Sequence, residues 1–228
     1  MDKVLMFSSI APRYDLLNSI LSFGLHKRWK KRAVREAGLK EGNSALDLCS
    51  GTGDIAIYLA KKVGPKGRVV ALDFSTEMLK LAQKKSSRER VGEVIDFQTG
   101  DATQLKLPND SFDAITIGFG IRNIDKIERA FGEMYRVLKP GGRVICLELS
   151  QPTSALVRRL YDFYSFQIIP RIGGLISKNF DAYYYLPSSI REFPDQNGLK
   201  SLMERSGFKN TRFTNLTFGI VSLHIGEK

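Results

Sequence analysis

The chain predicts an α/β fold built on a doubly wound, mainly parallel sheet, and three observations carry that expectation. Strand and helix patterns alternate five times between Ala45 and Leu149 with no long polar linker. The strand segments are nearly continuous apolar runs, as in a sheet covered on both faces. The first of them feeds a glycine turn, Ser50-Gly51-Thr52-Gly53, that runs straight into a helical pattern. Gly51 and Gly53 adopt dihedrals that a Cβ would forbid and let the backbone approach a ligand, and a strand leading through such a turn to a helix N-terminus holds nucleotides in open α/β sheets.

Each element has its own warrant. Leu16, Leu17, Ile20 and Leu21 recur at helical spacing until Gly24 stops the helix, and a basic helix follows from His26 to about Ala37. Strand one is Ala45 to Cys49 and strand two Arg68 to Asp73, after which Ser75 caps a helix to about Lys85. Strand three, about Val94 to Gln98, ends at Gly100-Asp101, and strand four is Phe112 to Ile117. Asp125 with Glu128 resembles a capping box for a helix that Pro140-Gly141-Gly142 ends, before strand five, Arg143 to Leu149. From Ala155 to Ile176 the reading is helix, bend at Pro170 and Gly173-Gly174, and short helix. Leu199 to Ser206 is a further helix. Phe208 to Thr214 and Thr217 to His224 lie too close together for a crossover and must pair antiparallel.

With 228 residues, 43% of them apolar, the expectation is one domain over 1–228 with two additions: an N-terminal helical lid over 1–43 and a helical insertion over 151–195. No run of 18 uncharged apolar residues and no signal-peptide pattern occurs, so a soluble, cytoplasmic protein is expected. Cys49 and Cys146 fall in strand-like runs and suit buried, reduced thiols; no metal site is expected. The net charge of +11 points to nucleic acid or an anionic lipid surface. Between His26 and Lys40 there are seven Lys/Arg against one Glu, yet no Arg-, Gly- and aromatic-rich tail of the RNA-binding kind, so no nucleic-acid partner is expected.

The spacing also fits G-x-G-x-x-A, with Ala56 last and Asp73 twenty residues after Gly53, which suits NAD. Two acids point elsewhere. Asp47, at the end of strand one, can meet a ligand ammonium group, which NAD lacks and S-adenosylmethionine has. Asp101, beyond strand three, can accept from an adenine amino group while the Ala102 backbone donates. With Asp73 on the ribose, three acids after three strands cover amino acid, sugar and base of one ligand. The expected cofactor is S-adenosylmethionine, and the expected fold is the Rossmann-like class I methyltransferase: a seven-stranded, mainly parallel sheet ending in an antiparallel strand.

Tyr14 to Trp29 (YDLLNSILSFGLHKRW) and Arg136 to Ser150 (RVLKPGGRVICLELS) resemble the two signature segments of the UbiE/MenG family of ubiquinone and menaquinone biosynthesis C-methyltransferases. ALDLCSGTGD, the stretch from Gly100 to Asn123 and the tail from Ala182 are similar to that family as well. The resemblance implies C-methylation of a lipid-tailed quinol, most simply demethylmenaquinol to menaquinol, with the ubiquinone-pathway methoxy-benzoquinol as alternative. A non-catalytic binding module is the alternative from another class. An RNA base methyltransferase lacks support, because no Pro-Pro-aromatic turn follows strand four. The family's cofactor contacts fall on Thr52, Asp73, Asp101 and Ala102, with Gly51, Gly53, Phe74 and Gly118 completing the pocket. Gly118 stands where many members carry a small hydroxyl residue.

A phenol titrates near pH 10, so carbon methylation of a quinol needs a base or an anion-stabilising group. Arg122 is the first candidate, for the quinolate or a water. Asn123 is expected on a ring oxygen, and Tyr14, Asn18 and His26 in the lid, with His26 a possible base ranked below Arg122. Phe163, Tyr164, Phe166, Ile168 and Ile169, near Arg158, Arg159 and Arg171, form either a lipid route that touches the membrane or a core or dimer face.

Overall fold

A computed structural model describes residues 3–177 and 180–228. Seven strands form one sheet in the order β3-β2-β1-β4-β5-β7-β6. These are β1 (Ser44–Leu48), β2 (Arg68–Asp73), β3 (Ile95–Thr99), β4 (Phe112–Gly118), β5 (Leu138–Leu149), β6 (Lys209–Leu216) and β7 (Val221–Glu227). The first five run parallel, and β7 inserts antiparallel between β5 and β6. Successive side chains alternate between two apolar layers, as the pleat requires. Ala45 joins the layer packed by α3 (Leu25–Glu36) and α4 (Asp54–Val63), whereas Leu46 and Leu48 face that of α6 (Ile127–Val137) and α10 (Gln196–Arg205).

A third apolar cluster lies outside the sheet. Met6 and Ile10 of α1 (Lys3–Ile10) and Leu17 of α2 (Tyr14–Leu21) pack on Ile169 of α8 (Ile169–Ser177) and on Ala182 and Tyr183 of α9 (Phe180–Glu192). The two additions read from sequence thus share one helical cap. The basic helix α3 does not belong to it: Trp29, Ala33 and Val34 are buried against α4 and the sheet. No helix among the described residues is long and apolar enough to cross a membrane.

Several local expectations need correction. Asp125 does not cap α6, which starts at Ile127; it pairs with Lys3 at 2.5 Å. Pro140-Gly141-Gly142 lies inside β5 as a bulge, since Leu138 pairs with Phe112 and Arg143 with Ala114, and the loosened backbone of Gly141 and Gly142 bonds to Lys228 instead. No bend occurs at Pro170. α7 (Ala155–Phe163) continues through a π-helical turn, Tyr164–Ile168, into α8, and the proline sits at the second position of α8, where its missing N–H follows the widened turn. Cys49 lies past β1 in a left-handed turn (φ 52°), half-buried rather than enclosed in a strand.

His224 of β7 is fully buried, with Nε2 2.8 Å from the Gln196 carbonyl and Nδ1 without a partner. Nε2 therefore carries the proton, and burial holds the ring's pKa down to about 4. The unfolded imidazole titrates near 6.5, so the unfolded chain takes up a proton first, and stability from this group is lost as pH falls from about 6.5 to 4. Asp47 acts in the opposite sense: burial raises its carboxyl to about 7, so its ionisation lowers stability as pH rises from about 4 to 7. The two slopes offset each other in the native protein. In His224→Phe only the second remains, and the variant should gain about 3 kcal/mol relative to wild type between pH 7 and pH 4. Urea unfolding at both pH values measures this, and a constant difference would rule out a neutral buried histidine.

Candidate active site

The strand order reverses between β1 and β4, and in open α/β sheets ligands bind at the carboxyl ends beside such a switch point. A cavity of about 540 Å³ lies there, bounded by Gly51 after β1, Asp73 at the end of β2 with Phe74 after it, Asp101 and Ala102 after β3, and Gly118 at the end of β4. Asp73 is the best-anchored acid. Its carboxylate accepts from Gly51 N at 2.8 Å and from Ser75 N at 2.9 Å, so one side chain shapes both the glycine turn and the start of α5 (Thr76–Arg88). Burial raises its pKa, against these backbone donors. Asp101 bonds Thr103 N at 2.8 Å and stays exposed at the rim. Phe74 meets Phe7 of α1 edge to face, with ring centroids 6.2 Å apart.

Three residues of the glycine-turn region sit differently from the sequence reading. Gly53 does not line the cavity; at φ 82° it starts α4, and a Cβ there would stand 2.8 Å from Ala82 Cβ, so this glycine serves close packing of α4 on α5. Thr52 is buried, and its hydroxyl donates to Asp15 of α2 at 2.5 Å. Lys85 bridges Asp15 (2.5 Å) and Asp54 (2.8 Å), and Lys30 pairs with Asp54 at 2.8 Å, which ties the cap to the turn by charge. Asp47 lies beneath the turn: Oδ1 accepts from Thr116 at 2.6 Å, while Oδ2 is buried without a hydrogen-bond partner among the described residues, as is Ser50 Oγ. At Gly118 a Cβ would come within 2.4 Å of Ile55 Cδ1, so a larger residue there requires that terminal methyl to turn aside.

A second cavity of about 140 Å³ opens under the cap. Tyr14, Asn18, His26 and Arg122 all line it, with Tyr161, Tyr183 and Tyr185, which sequence reasoning missed. Phe7, Tyr14 and Phe119 line both cavities, so the two meet there. Phe119 reaches the junction through a left-handed backbone (φ 59°), which no spacing rule reveals.

Arg122 is not a free cation. Its Nη1 bonds Glu148 of β5 at 2.5 Å and the Phe119 carbonyl at 2.8 Å, both charged groups are buried, and Nε–H is buried without a partner among the described residues. Glu148 also accepts from Leu149 N at 2.8 Å. Its signal was present in Arg143 to Leu149, since an acid within a buried apolar run needs a partner. Asn123 does not reach the second cavity: it lines the first, and its Oδ1 accepts from Tyr185 at 3.0 Å.

His26 is buried beside Ser22. The single Ser22 hydroxyl proton goes to the Asn18 carbonyl at 2.5 Å, so His26 Nδ1 must be the donor in its 2.7 Å contact with Ser22 Oγ. That tautomer leaves the Nε2 lone pair free. Burial, reinforced by Lys30, lowers the ring's pKa and keeps it neutral near pH 7.

Solved structures share the architecture. A SAM-dependent methyltransferase, possible histamine N-methyltransferase, from Thermotoga maritima superposes with a TM-score of 0.67 at 22% identity over 99% of both chains. A SAM-dependent methyltransferase from Aquifex aeolicus gives 0.64 at 20% identity, covering 86% of this chain and 88% of that one. The fold is the Rossmann-like one of class I S-adenosylmethionine-dependent methyltransferases, and the protein is an enzyme of that class.

The model of the ubiE/COQ5 methyltransferase family matches residues 2–228. The ubiquinone/menaquinone biosynthesis C-methyltransferase UbiE of Pseudomonas fluorescens strain SBW25 is 45% identical over 98% of this chain and 87% of its own length. The UbiE of Marinomonas sp. strain MWYL1 is 43% identical over 98% and 89%. This chain belongs to the ubiE/COQ5 methyltransferase family.

Proposed function

We propose that the protein methylates a ring carbon of a lipid-tailed quinol precursor in quinone biosynthesis, with demethylmenaquinol as acceptor and menaquinol as product. The observation that carries the reading is the meeting, at Phe7, Tyr14 and Phe119, of a cavity edged by the strand-end acids with a second one lined mainly by apolar and aromatic side chains. A two-substrate transfer needs two compartments sharing one wall. The relatives' names cover both quinone pathways, so a methoxy-benzoquinol is the competing acceptor.

The first cavity suits S-adenosylmethionine, which supplies a methyl group already electrophilic on sulfur. Asp73 would take the ribose hydroxyls. Phe74, Asp101 and Ala102 would hold the adenine, and Gly51 the backbone side of the amino acid. The unpaired Asp47 Oδ2 beneath the turn fits a cationic amine reached through water, which also gives this buried oxygen the partner it lacks.

In the second cavity the acceptor's hydroxyl must lose its proton. His26 Nε2, neutral and unpartnered in the tautomer fixed by Ser22, would accept it, and the Arg122 guanidinium would stabilise the oxygen left behind; once the ring carbon has taken the methyl group, that carbon's own hydrogen leaves as a proton to restore the aromatic ring, and the imidazolium returns the first proton to the oxygen. A phenol near pH 10 is a much weaker acid than an imidazolium whose pKa burial has lowered, so the first proton transfer runs uphill. The Arg122 guanidinium lessens that cost, and orientation at a shared wall supplies about 7 to 11 kcal/mol in favourable cases. Tyr14 closes the junction and Asn18 lies beside the ring. Asn123, held by Tyr185, orients the donor side.

Incubation with methyl-labelled S-adenosylmethionine against demethylmenaquinol, demethylated ubiquinol precursors and RNA tests the reading. Label is expected in the menaquinol, and label in the ubiquinol precursor alone would transfer the assignment to that pathway. Label in RNA alone would contradict both.

A further inference from the structure

Exposed large apolar side chains are unevenly placed. Leu5, Leu16, Ile20 and Phe23 precede residue 24, and the rest, from Leu156 onward, lie beyond residue 155; none of those described occupies the sheet segment between. On α7, Leu156, Leu160 and Phe163 recur at i, i+4 and i+7 and share one face. They are 69%, 63% and 62% exposed, and no residue of α7 is buried. Phe23 joins this face to the end of α2, because it lies 6.3 Å from Tyr164, whose hydroxyl bonds the Leu21 carbonyl. The stripe read from sequence is thereby redrawn: Ile169 is buried in the cap and Phe166 lies under Arg191, 4.3 Å from its guanidinium carbon.

Charge accompanies the apolar face. Lys27 and Arg28 are exposed just past Phe23 and Arg159 is exposed on α7 beside the stripe, and none of the three pairs with a carboxylate among the described residues, whereas Arg158 lies on the opposite side of α7 and donates to the Pro152 carbonyl. The second cavity is bounded by the same two segments, through Leu21 and Ser22 on one side and Tyr161 and Tyr164 on the other.

We propose that this composite face, from the end of α2 across α7, docks on an anionic lipid bilayer and sets the mouth of the acceptor cavity against it. The proposal deepens the quinol reading and rests on it for the purpose of docking. Apolar side chains flanked by the unpaired cations Lys27, Arg28 and Arg159 satisfy both requirements of stable interfacial binding, insertion and attraction to acidic headgroups. A second copy of the chain is a poor occupant, because two such faces carry the same charge and repel.

The test is sedimentation of the full chain, without quinol, with vesicles of phosphatidylcholine plus phosphatidylglycerol and with phosphatidylcholine alone. Binding is expected to be at least about tenfold stronger to the anionic vesicles and to fall with added salt. The triple variant Leu156→Ser, Leu160→Ser, Phe163→Ser should lose about tenfold in binding. Its melting temperature and its transfer to a tail-less quinol should be unchanged. Equal binding to both vesicles, or wild-type binding by the triple variant, overturns the proposal. So does a dimer that the triple variant converts to monomer, which assigns the face to a second copy. Anionic vesicle binding with no transfer to any quinol would keep the docking face and refute the acceptor instead.

Discussion

Glu148→Ala is expected to lower the melting temperature by roughly 6 to 20 °C. The substitution leaves the Arg122 guanidinium buried without its counter-ion, and breaking one side of a buried pair costs about 3 to 5 kcal/mol, each worth about 2 to 4 °C in a chain of this size. Arg122→Ala strands the Glu148 carboxylate in the same way, so its loss of turnover mixes folding with chemistry. The double variant Arg122→Met, Glu148→Leu separates them. Replacing both partners removes the uncompensated charge, and stability should return close to wild type while turnover stays at least about 100-fold down, because the guanidinium donor is gone. Thermal melts and single-turnover rates on the three variants decide it; wild-type turnover in the double variant would remove Arg122 from the mechanism.

Asp73→Ala should weaken S-adenosylmethionine binding by at least about 100-fold. The carboxylate organises Gly51 and Ser75 through two backbone donors, and in the proposed complex it also accepts from the ribose. Hydrogen bonds to a charged group are worth about 1.5 to 3 kcal/mol each, so losing two gives a change of that size or larger. Titration calorimetry measures it, and an affinity within about threefold of wild type would place the ribose elsewhere. Asp73→Asn should fall between the two, keeping an acceptor without the charge.

The sheet was legible because its information is local. Apolar runs of strand length, Ser75 as a cap, whose hydroxyl accepts from Met78 N at 3.3 Å, and acids at strand ends all act within a few residues. The paired final strands followed from the short link between them. Elements decided by distant partners were misread. Asp125 has the composition of a cap but is held by Lys3, more than a hundred residues away in sequence. Pro140-Gly141-Gly142 signals a stop, yet the C-terminal Lys228 supplies partners that keep the chain in the sheet.

The site divides along the same line. Gly51, Asp73, Phe74, Asp101, Ala102 and Gly118 all border the first cavity, since strand-end residues converge wherever the sheet forms. Thr52 and Gly53 stand beside them in sequence but face Asp15 and Ala82, a choice made by packing of α2, α4 and α5. For the acceptor side, sequence indicated Arg122 ahead of His26. The structure adds what sequence could not show, a buried Glu148 carboxylate that holds the arginine's charge and a Ser22 and Asn18 arrangement that leaves the histidine's Nε2 free. The tyrosines of α7 and α9 were invisible as a group, because only the cap's third core brings Tyr161, Tyr183 and Tyr185 around one space.

The proposed reaction transfers a methyl group to carbon across a wall shared by two cavities. Its most direct measurement is the position of a deuterium-labelled methyl group in the product formed from demethylmenaquinol, read by NMR and mass spectrometry. Label on the ring carbon is the expected result. Label on a phenolic oxygen, or no labelled quinol from a protein that binds S-adenosylmethionine normally, would contradict it.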